Sequence, residues 1–275
     1  MKKLILTILA SSFILSCSSD SSNDNSNNPS SNGLLVKTVT NGLKSTTISY
    51  NGNKLANSSS SDGSSSIFNY NGDLIISENT VINNGVSGLY NYTSTMNYSN
   101  NLLSSYTRNG NNANYSDLYN STYIYNLDGS ITENINSTHT YSAGNTTSSI
   151  NKYIRFYSQG NCVRGEGYSP VNGLMILTET TTYTYDTNNS PYKNITGFYA
   201  YYHPIGYSNF NNKVSETHKN ASGIITRTVQ TTYQYNSQNY PISETETSTN
   251  YNIDSQSGTS TPGTPTVSNR TYTYY

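Results

Sequence analysis

The chain has little charge, few cysteines, no tryptophan and only one long apolar run. Charged residues make up 11% of its 275 residues, and 14 Lys and Arg against 15 Asp and Glu give a formal net charge of −1. No basic patch or run is present, so nothing favours nucleic acid as a partner. Two cysteines provide neither a disulfide framework nor a CxxC metal pair.

Helical periodicity is also missing. No apolar stripe at i, i+3, i+4 and i+7 continues beyond the first sixteen residues. The chain instead holds 28 tyrosines among many Asn, Ser, Thr and Gly residues. Tyrosine is a strong strand former with a large apolar ring. The composition therefore predicts a mature chain that is nearly all β.

One short phrase returns along the chain: tyrosine, any residue, tyrosine, then a polar turn. Clear copies begin at Tyr123, Tyr183 and Tyr233, and a last copy, Tyr272-Thr273-Tyr274, lies at the end. Residues two apart on a strand share one face of the sheet. Each phrase therefore predicts a strand with both rings on one face, followed by a tight hairpin turn.

A short form of the phrase ends in Asn-Gly. Copies end at Asn51-Gly52 and Asn71-Gly72, and we expect positive φ at both residues of each pair. Tyrosines that mark successive copies recur every 20 to 32 residues between Tyr50 and Tyr185. This spacing predicts a repeat of β-hairpins in an antiparallel meander. The meander either remains an extended twisted sheet or curls into a barrel or sandwich.

The N-terminus carries an export signal. Lys2 and Lys3 precede a mostly apolar run, Leu4 to Leu15, which is too short for a membrane-spanning helix. The run ends in Ile14-Leu15-Ser16-Cys17, which resembles the bacterial lipobox. The resemblance implies a signal peptide over 1–16 and a lipid (palmitate-type) anchor on Cys17. An ordinary cleaved signal with an incidental cysteine is the alternative.

The rest divides into a tether and a domain. Residues 18–33 lack apolar side chains, so we predict a disordered tether over 17–33. A β-hairpin repeat domain is predicted over 34–275. Within it, the Ser/Thr/Pro/Gly stretch 255–269 is expected to be a flexible loop without core residues.

The phrase Y-x-Y-[DN], followed by Gly or Asn and then Ile or Leu, resembles the YD repeats of RHS-type cell-surface proteins. With the lipobox and tether, it is similar to Gram-negative hairpin-repeat lipoproteins of unknown function. The resemblance covers about residues 47–275 and implies hairpin architecture and an outer-membrane lipoprotein, periplasmic or surface-facing. RHS proteins enclose a hollow cage with many more repeats, and this chain is expected to be too short to close one.

Catalytic and metal-binding signatures are weak. His139, His203 and His218 have no metal-ligand spacing, although Glu216 and His218 share a strand face. Glu244 and Glu246 are likewise i, i+2. We interpret Gly165-Glu166-Gly167 as a loop, and Cys162 as a small strand residue. No catalytic residue, metal site or cofactor is predicted.

The most aromatic stretch runs from Phe198 to Phe210. Exposed rings suit sugar faces or peptide side chains, whereas buried rings would cap the sheet as core. The candidate ligand-binding residues are Phe198, Tyr199, Tyr201, Tyr202, His203 and Tyr207.

These observations predict a lipid-anchored envelope protein that acts as a non-catalytic binding or structural module. Its expected partners are the membrane, through the lipid, and a glycan or envelope protein. One alternative is a secreted glycan- or peptide-acting hydrolase whose acids, among Glu166, Glu179 and Glu216, converge with His203. Another is an RHS-like adhesion or secretion accessory protein.

Overall fold

The computed structural model describes residues 33–85, 88–254 and 258–275. Nearly all regular structure in these residues is antiparallel strand, with one short helix, α1 (Phe198–Tyr202). The strands are β1 (Val36–Asn41), β2 (Lys44–Asn51), β3 (Lys54–Ser60), β4 (Ser65–Asn71), β5 (Leu74–Asn83), β6 (Leu89–Ser99), β7 (Leu102–Asn111), β8 (Tyr115–Tyr125), β9 (Ile131–Tyr141), β10 (Thr146–Ser158), β11 (Asn161–Val171), β12 (Leu174–Tyr185), β13 (Lys213–Asn220), β14 (Ile225–Tyr235), β15 (Pro241–Ile253), β16 (Ser260–Pro262) and β17 (Thr266–Tyr274).

The meander closes on itself. Each strand from β1 to β15 pairs with the next one in sequence, β15 pairs with β17, and β17 pairs with β1. Within the described residues this makes a closed barrel of sixteen antiparallel strands, with β16 as a short extra partner for the end of β15. The prediction of an antiparallel hairpin meander is confirmed. Of the forms that the sequence left open, an extended sheet, a sandwich or a barrel, the chain adopts the barrel.

Both tyrosines of a phrase face the lumen, as the two-residue spacing predicts. On β14 the half-buried Tyr233 and Tyr235 alternate with exposed Gln234. A register shift follows at the second aromatic position of most copies, for example between Asn97 and Tyr98. Such β-bulges bend and twist a strand, which favours closure of a sheet into a barrel.

The short turns are centred one residue later than predicted. In the β2–β3 hairpin, Asn51 still belongs to β2, and the turn residues are Gly52 and Asn53. Only Gly52 has positive φ, at 60°. Glycine at the first central position is typical of a type II′ turn, whose twist matches that of the flanking strands. The expectation of positive φ at Asn51 was therefore wrong.

The outer face of the barrel is mainly polar. Exposed positions on β6 alternate with tyrosines and other inward residues, and they include Asn91, Thr93, Thr95 and Asn97. Cross-strand hydrogen bonds join such side chains, as between Thr93 Oγ1 and Asn79 Oδ1 at 2.8 Å. Large apolar residues appear on this face only at scattered positions.

One end of the lumen is filled by the connection between β12 and β13, residues 186–212, which we call the plug. Its Tyr201 is 2% exposed and belongs to one core cluster with inward residues of β5 to β9, such as Ile75 and Leu103. Its Ile195 packs on inward residues of β1, β2, β3 and β17. A segment that contacts so many strands at once must lie inside the ring.

The plug occupies the end where the tyrosine phrases finish, which we call the tyrosine end. Thr196 N donates to the carbonyl of Asn53 in the β2–β3 turn, at 2.9 Å. The described chain also begins there, since Asn194 Nδ2 donates to Leu34 O at 2.8 Å.

The predicted flexible loop 255–269 is in part regular structure. Residues 260–262 form β16, and residues 266–269 belong to β17, where Val267 pairs with Thr247. This prediction was wrong for those residues, because backbone pairing with β15 orders them without core side chains.

Residues 1–32, including the predicted signal peptide, Cys17 and nearly all of the tether, lie outside the described residues. In the parts of the chain that are described, no helix has the length and hydropathy of a membrane span.

The turn geometry predicts different effects for two neighbouring residues. Replacing Gly52 with Ala should destabilise the barrel by about 1–2 kcal/mol, because a Cβ disfavours positive φ. Open space around Gly52 leaves no steric clash to add to this. The matched control is Asn51→Ala, which should change the free energy of unfolding by less, as measured by urea denaturation. Equal effects of the two changes would contradict a turn centred on Gly52 and Asn53.

Candidate functional site

A ring of tyrosine hydroxyl groups holds successive hairpins together at the tyrosine end. The second tyrosine of a phrase donates to a backbone carbonyl at the start of the neighbouring strand. Tyr98 bonds to Ile75 O at 2.8 Å, and Tyr185 bonds to Cys162 O at 2.7 Å. Burial raises the pKa of both phenols, so they remain protonated donors. Each bond adds about 1 kcal/mol in net terms.

Four buried glutamates form a second set of contacts. Each lies directly across a strand pair from the first aromatic residue of a phrase. The pairs are Phe68 with Glu78, Tyr123 with Glu133, Tyr183 with Glu216, and Tyr233 with Glu244. A buried carboxylate is tolerated only when it is hydrogen-bonded or paired, and these four have such partners.

Glu133 is the most fully satisfied of them. Its Oε1 accepts bonds from Tyr119, Ser121 and Tyr123, at 3.3, 2.7 and 2.9 Å. Its Oε2 accepts a bond from Arg155 Nη1 at 2.8 Å. The same Nη1 donates to Pro204 O in the plug, at 3.1 Å. This ion pair therefore joins the barrel wall to the plug.

Beyond the plug, the lumen holds a cavity of about 550 Å³ that is open to solvent. Its floor includes the Glu133–Arg155 pair and plug residues 205–207, and its wall is made by β7 to β12. A volume of this size is typical of small-molecule sites. The residues with polar or aromatic side chains that line the wall are Tyr106, Arg108, Tyr119, Tyr123, Ser137, Asn151, Tyr153, Glu179, Thr181 and Tyr183.

Two glycines widen the cavity. Gly165 and Gly167 face it from β11. A Cβ on Gly167 would lie 2.8 Å from Glu179 Cγ, whereas one on Gly165 would lie 3.7 Å from the nearest atom, the Tyr183 hydroxyl oxygen. The prediction that Gly165-Glu166-Gly167 is a loop was wrong. Strand pairing on both sides fixes these residues, and Glu166 points outward to Arg164 and Tyr168.

The predicted ligand-binding residues all lie in the plug, where they divide into two groups. Tyr201, Tyr202, Phe198, Tyr199 and His203 pack against each other or against inward strand residues. Tyr207 is different, because it is 79% exposed and lines the cavity. The structure thus places one of the six residues at the cavity surface and five in the packed part of the plug.

The residues of the hydrolase alternative do not converge. Only Glu179 lines the cavity, whereas Glu166 faces outward and His203 lies in the plug. Glu216 contacts Lys213 and His218. Burial acts to raise the pKa of Glu216, but these two partners outweigh it and lower the pKa to about 2.

The remaining candidate residues, Glu244 and Cys162, are buried and contact other parts of the barrel wall. Glu244 contacts Arg270 and Tyr272. Cys162 is a buried free cysteine, and burial raises the pKa of its thiol to about 11. In the described ranges, no three or more His, Cys, Asp or Glu side chains are grouped so that they could hold a metal ion.

Sequence reasoning missed the charged residues of the cavity, Arg108, Glu133 and Arg155. A signal existed for Glu133, because it occupies the position that pairs with the first tyrosine of its phrase. No comparable signal marks Arg108, whose role depends on which strands stand opposite it in the closed barrel.

No family model and no curated protein matches the chain. Solved structures that resemble it include two porin-like proteins. A porin-like protein from Bacteroides vulgatus ATCC 8482 has a TM-score of 0.53 at 14% sequence identity, over 88% of this chain and 99% of that one. A porin-like protein from Bacteroides uniformis ATCC 8492 has a TM-score of 0.40 at 14% identity, over 88% and 95%. The first likeness shows that the two chains share the barrel fold.

His203 is expected to make the stability of the barrel depend on pH. It donates Nδ1–H to Ser208 O at 3.1 Å, and its Nε2 lies 2.9 Å from the Tyr199 hydroxyl oxygen. Burial lowers the pKa of this imidazole to about 4. The unfolded chain, with a His pKa near 6.5, then binds more protons than the folded one between pH 6.5 and 4.

Stability should therefore be complete above pH 6.5 and decline as the pH falls towards 4, by up to about 1.4 kcal/mol per pH unit. Urea denaturation at steps from pH 7 to pH 4.5 measures this slope. His203→Asn should flatten it, since the side chain no longer titrates. Equal slopes in the two proteins would show that His203 is not the group responsible.

Proposed function

We propose that the chain is a lipid-anchored envelope protein whose barrel stands in water and binds a small polar ligand in its lumen without catalysing a reaction. The observation that carries this proposal is the open cavity of about 550 Å³ above the plug. Tyr119 and Tyr153 line its wall, and Tyr207 stands on its floor. Phenol rings combined with Ser, Asn and charged side chains suit a saccharide, which offers both apolar ring faces and hydroxyl groups.

The outer face supports a barrel surrounded by water. A barrel that crosses a membrane presents an apolar band about 25 Å tall to lipid, between two girdles of aromatic residues. On β14 the exposed positions are instead Gln230, Thr232 and Gln234, and on β6 they are mainly Asn and Thr. The tyrosines of the phrase face inward, as on β14. A tethered domain with a polar exterior fits these positions better than an inserted one.

Attachment at the tyrosine end leaves the cavity accessible. The chain enters the barrel beside the plug, where Tyr275 N donates to Leu35 O at 3.0 Å. An anchor on Cys17 would therefore connect to the plugged end. The cavity lies on the other side of the plug, so the tether does not have to pass its mouth.

The state of the acids supports binding rather than hydrolysis. Glycoside hydrolysis uses two carboxyl groups that flank the scissile bond. Both oxygens of Glu133 are occupied by protein donors. The other acid that lines the cavity is Glu179, and it has no hydrogen bond or ion pair to a described residue.

The anchor is tested by Cys17→Ala. The variant should leave the membrane fraction and appear with soluble proteins, because the acyl chains that hold the protein would be absent. Immunoblots of membrane and soluble fractions measure this, and Ser18→Ala serves as the control. A Cys17→Ala protein that still sediments with membranes would mean that something other than a lipid on Cys17 holds it there.

The cavity is tested by filling it. The substitution Gly165→Leu would place a side chain in the lumen. Its Cβ would lie 3.7 Å from the Tyr183 hydroxyl oxygen, an ordinary contact distance, so the backbone can stay in place. The variant should fold and lose at least tenfold in affinity for any saccharide that the 34–275 domain binds on an oligosaccharide panel. Thr182→Leu is the matched control, because it adds leucine to the exposed face of neighbouring β12. Saccharide binding that survives Gly165→Leu unchanged would exclude the lumen as the site.

A further inference from the structure

Arg108 is the cation of the cavity wall that lacks a protein acceptor. It faces the lumen from β7 and also borders a smaller adjoining cavity of about 340 Å³ near the far rim. Its guanidinium has no hydrogen bond or ion pair to any residue in the described ranges, and its Nε is buried. The other arginine of the cavity, Arg155, is paired with Glu133.

Aromatic rings hold this guanidinium in place. Its Cζ lies 5.7 Å from the ring centre of Tyr92 and 5.4 Å from that of Tyr119. Cation–π contacts of this kind stabilise the charge and restrict the side chain, but they use none of its five N–H donors. The N–H donors on the two terminal nitrogens of Arg108 therefore remain for a ligand, since no described protein acceptor uses them.

The acid that shares the smaller cavity with Arg108 is engaged elsewhere. Asp117 borders the smaller cavity together with Arg108, but its Oδ1 contacts His139 Nδ1, and its Oδ2 accepts a bond from Tyr90 at 3.2 Å. No ion pair within 4 Å joins Asp117 to Arg108 among the described residues. The carboxylate lowers the local positive potential without occupying the guanidinium donors.

A wall segment further round the barrel carries the opposite charge. Glu179 projects from β12 over Gly167, beside the ring of Tyr153. Strands β7 and β12 are five positions apart, which is roughly 24 Å along the wall at about 4.8 Å per strand. An anionic group in the cavity is therefore attracted towards β7 and repelled from β12, which orients the ligand.

We propose that the ligand of this cavity carries a carboxylate, and that Arg108 binds it through its planar pair of N–H donors. The inference rests on the proposed function and specifies the ligand. Arginine matches a carboxylate with two parallel hydrogen bonds, which an ammonium group cannot form. Tyr119 and Tyr153 supply flat surfaces for the rest of the molecule. Acidic saccharides and short peptides with a free C-terminus both present this chemistry.

Matched probes separate the carboxylate from the rest of the ligand. Isothermal titration calorimetry on the 34–275 domain would use a galacturonic acid trimer against the equally linked neutral galactose trimer. A second arm would use Gly-Tyr-Gly against its C-terminal amide. The protein variants are Arg108→Met, Arg108→Lys and Arg164→Met. The last removes the same charge from the outer face, where Arg164 stacks on Phe156.

The acid form of at least one pair should bind roughly 10- to 100-fold more tightly than its neutral partner, the range expected for a charged hydrogen-bonded contact. Arg108→Met should abolish this preference, Arg108→Lys should retain part of it, and Arg164→Met should leave it unchanged. The arm that shows the preference identifies saccharide or peptide as the class.

Three outcomes overturn the inference. One is equal binding of acid and neutral forms, and another is an acid preference that survives Arg108→Met. If the probes bind in either of these ways and Gly165→Leu still blocks their binding, the lumenal site stands and only the role of Arg108 is wrong. The third outcome is that none of the four probes binds at millimolar concentration. The proposed function is then tested separately, by the oligosaccharide panel described above.

Discussion

A closed ring of sixteen strands is too wide for side chains on opposite walls to meet, and this width determines the rest of the structure. Eight-stranded barrels can fill their interior with their own side chains, whereas those of sixteen or more strands leave a channel. The chain closes one end by folding residues 186–212 into the lumen, where Tyr201 joins a core cluster with residues of five consecutive strands. The other part of the lumen remains open, and the cavity is the space that the plug leaves.

Tyrosine suits this interior for two reasons. Its ring is long enough to reach from the wall towards the plug, and its hydroxyl satisfies polar groups at the same time. Tyr157 donates to His203 O at 2.8 Å, and Tyr70 donates to Thr196 O at 3.0 Å, so both link the wall to the plug. Phenylalanine would supply the ring without these bonds. A chain with few aliphatic residues can therefore hold a wide barrel together, while Thr and Asn cover the outside.

Local features of the fold could be predicted, whereas features that depend on closure could not. The Y-x-Y phrase specified strands, a shared face and a following turn, because these depend on side-chain period and turn chemistry within about ten residues. Closure depends on the pairing of β1 with β17, more than 200 residues apart, and on bulges such as the one at Tyr98. The position of the β2–β3 turn escaped prediction because Asn51-Gly52 and Gly52-Asn53 are both favourable turn pairs. The Ser/Thr/Pro/Gly stretch 255–269 looked like a loop because its strand residues, in β16 and the start of β17, are ordered by pairing with β15.

The cavity illustrates the same limit for function. Composition marked the aromatic segment, yet most of its rings are packed, since the plug needs a core of its own. The residues that give the cavity its character come from β7, β9, β10 and β12, and no local pattern links Arg108 to Glu179. Their relation follows from strand order alone. In a meander every hairpin adds a predictable unit, but the lumen belongs to the whole ring, so its charge distribution emerges only when the ring closes. A change of one residue on one wall can thus alter the charge of the lumen without changing the repeat that builds the barrel.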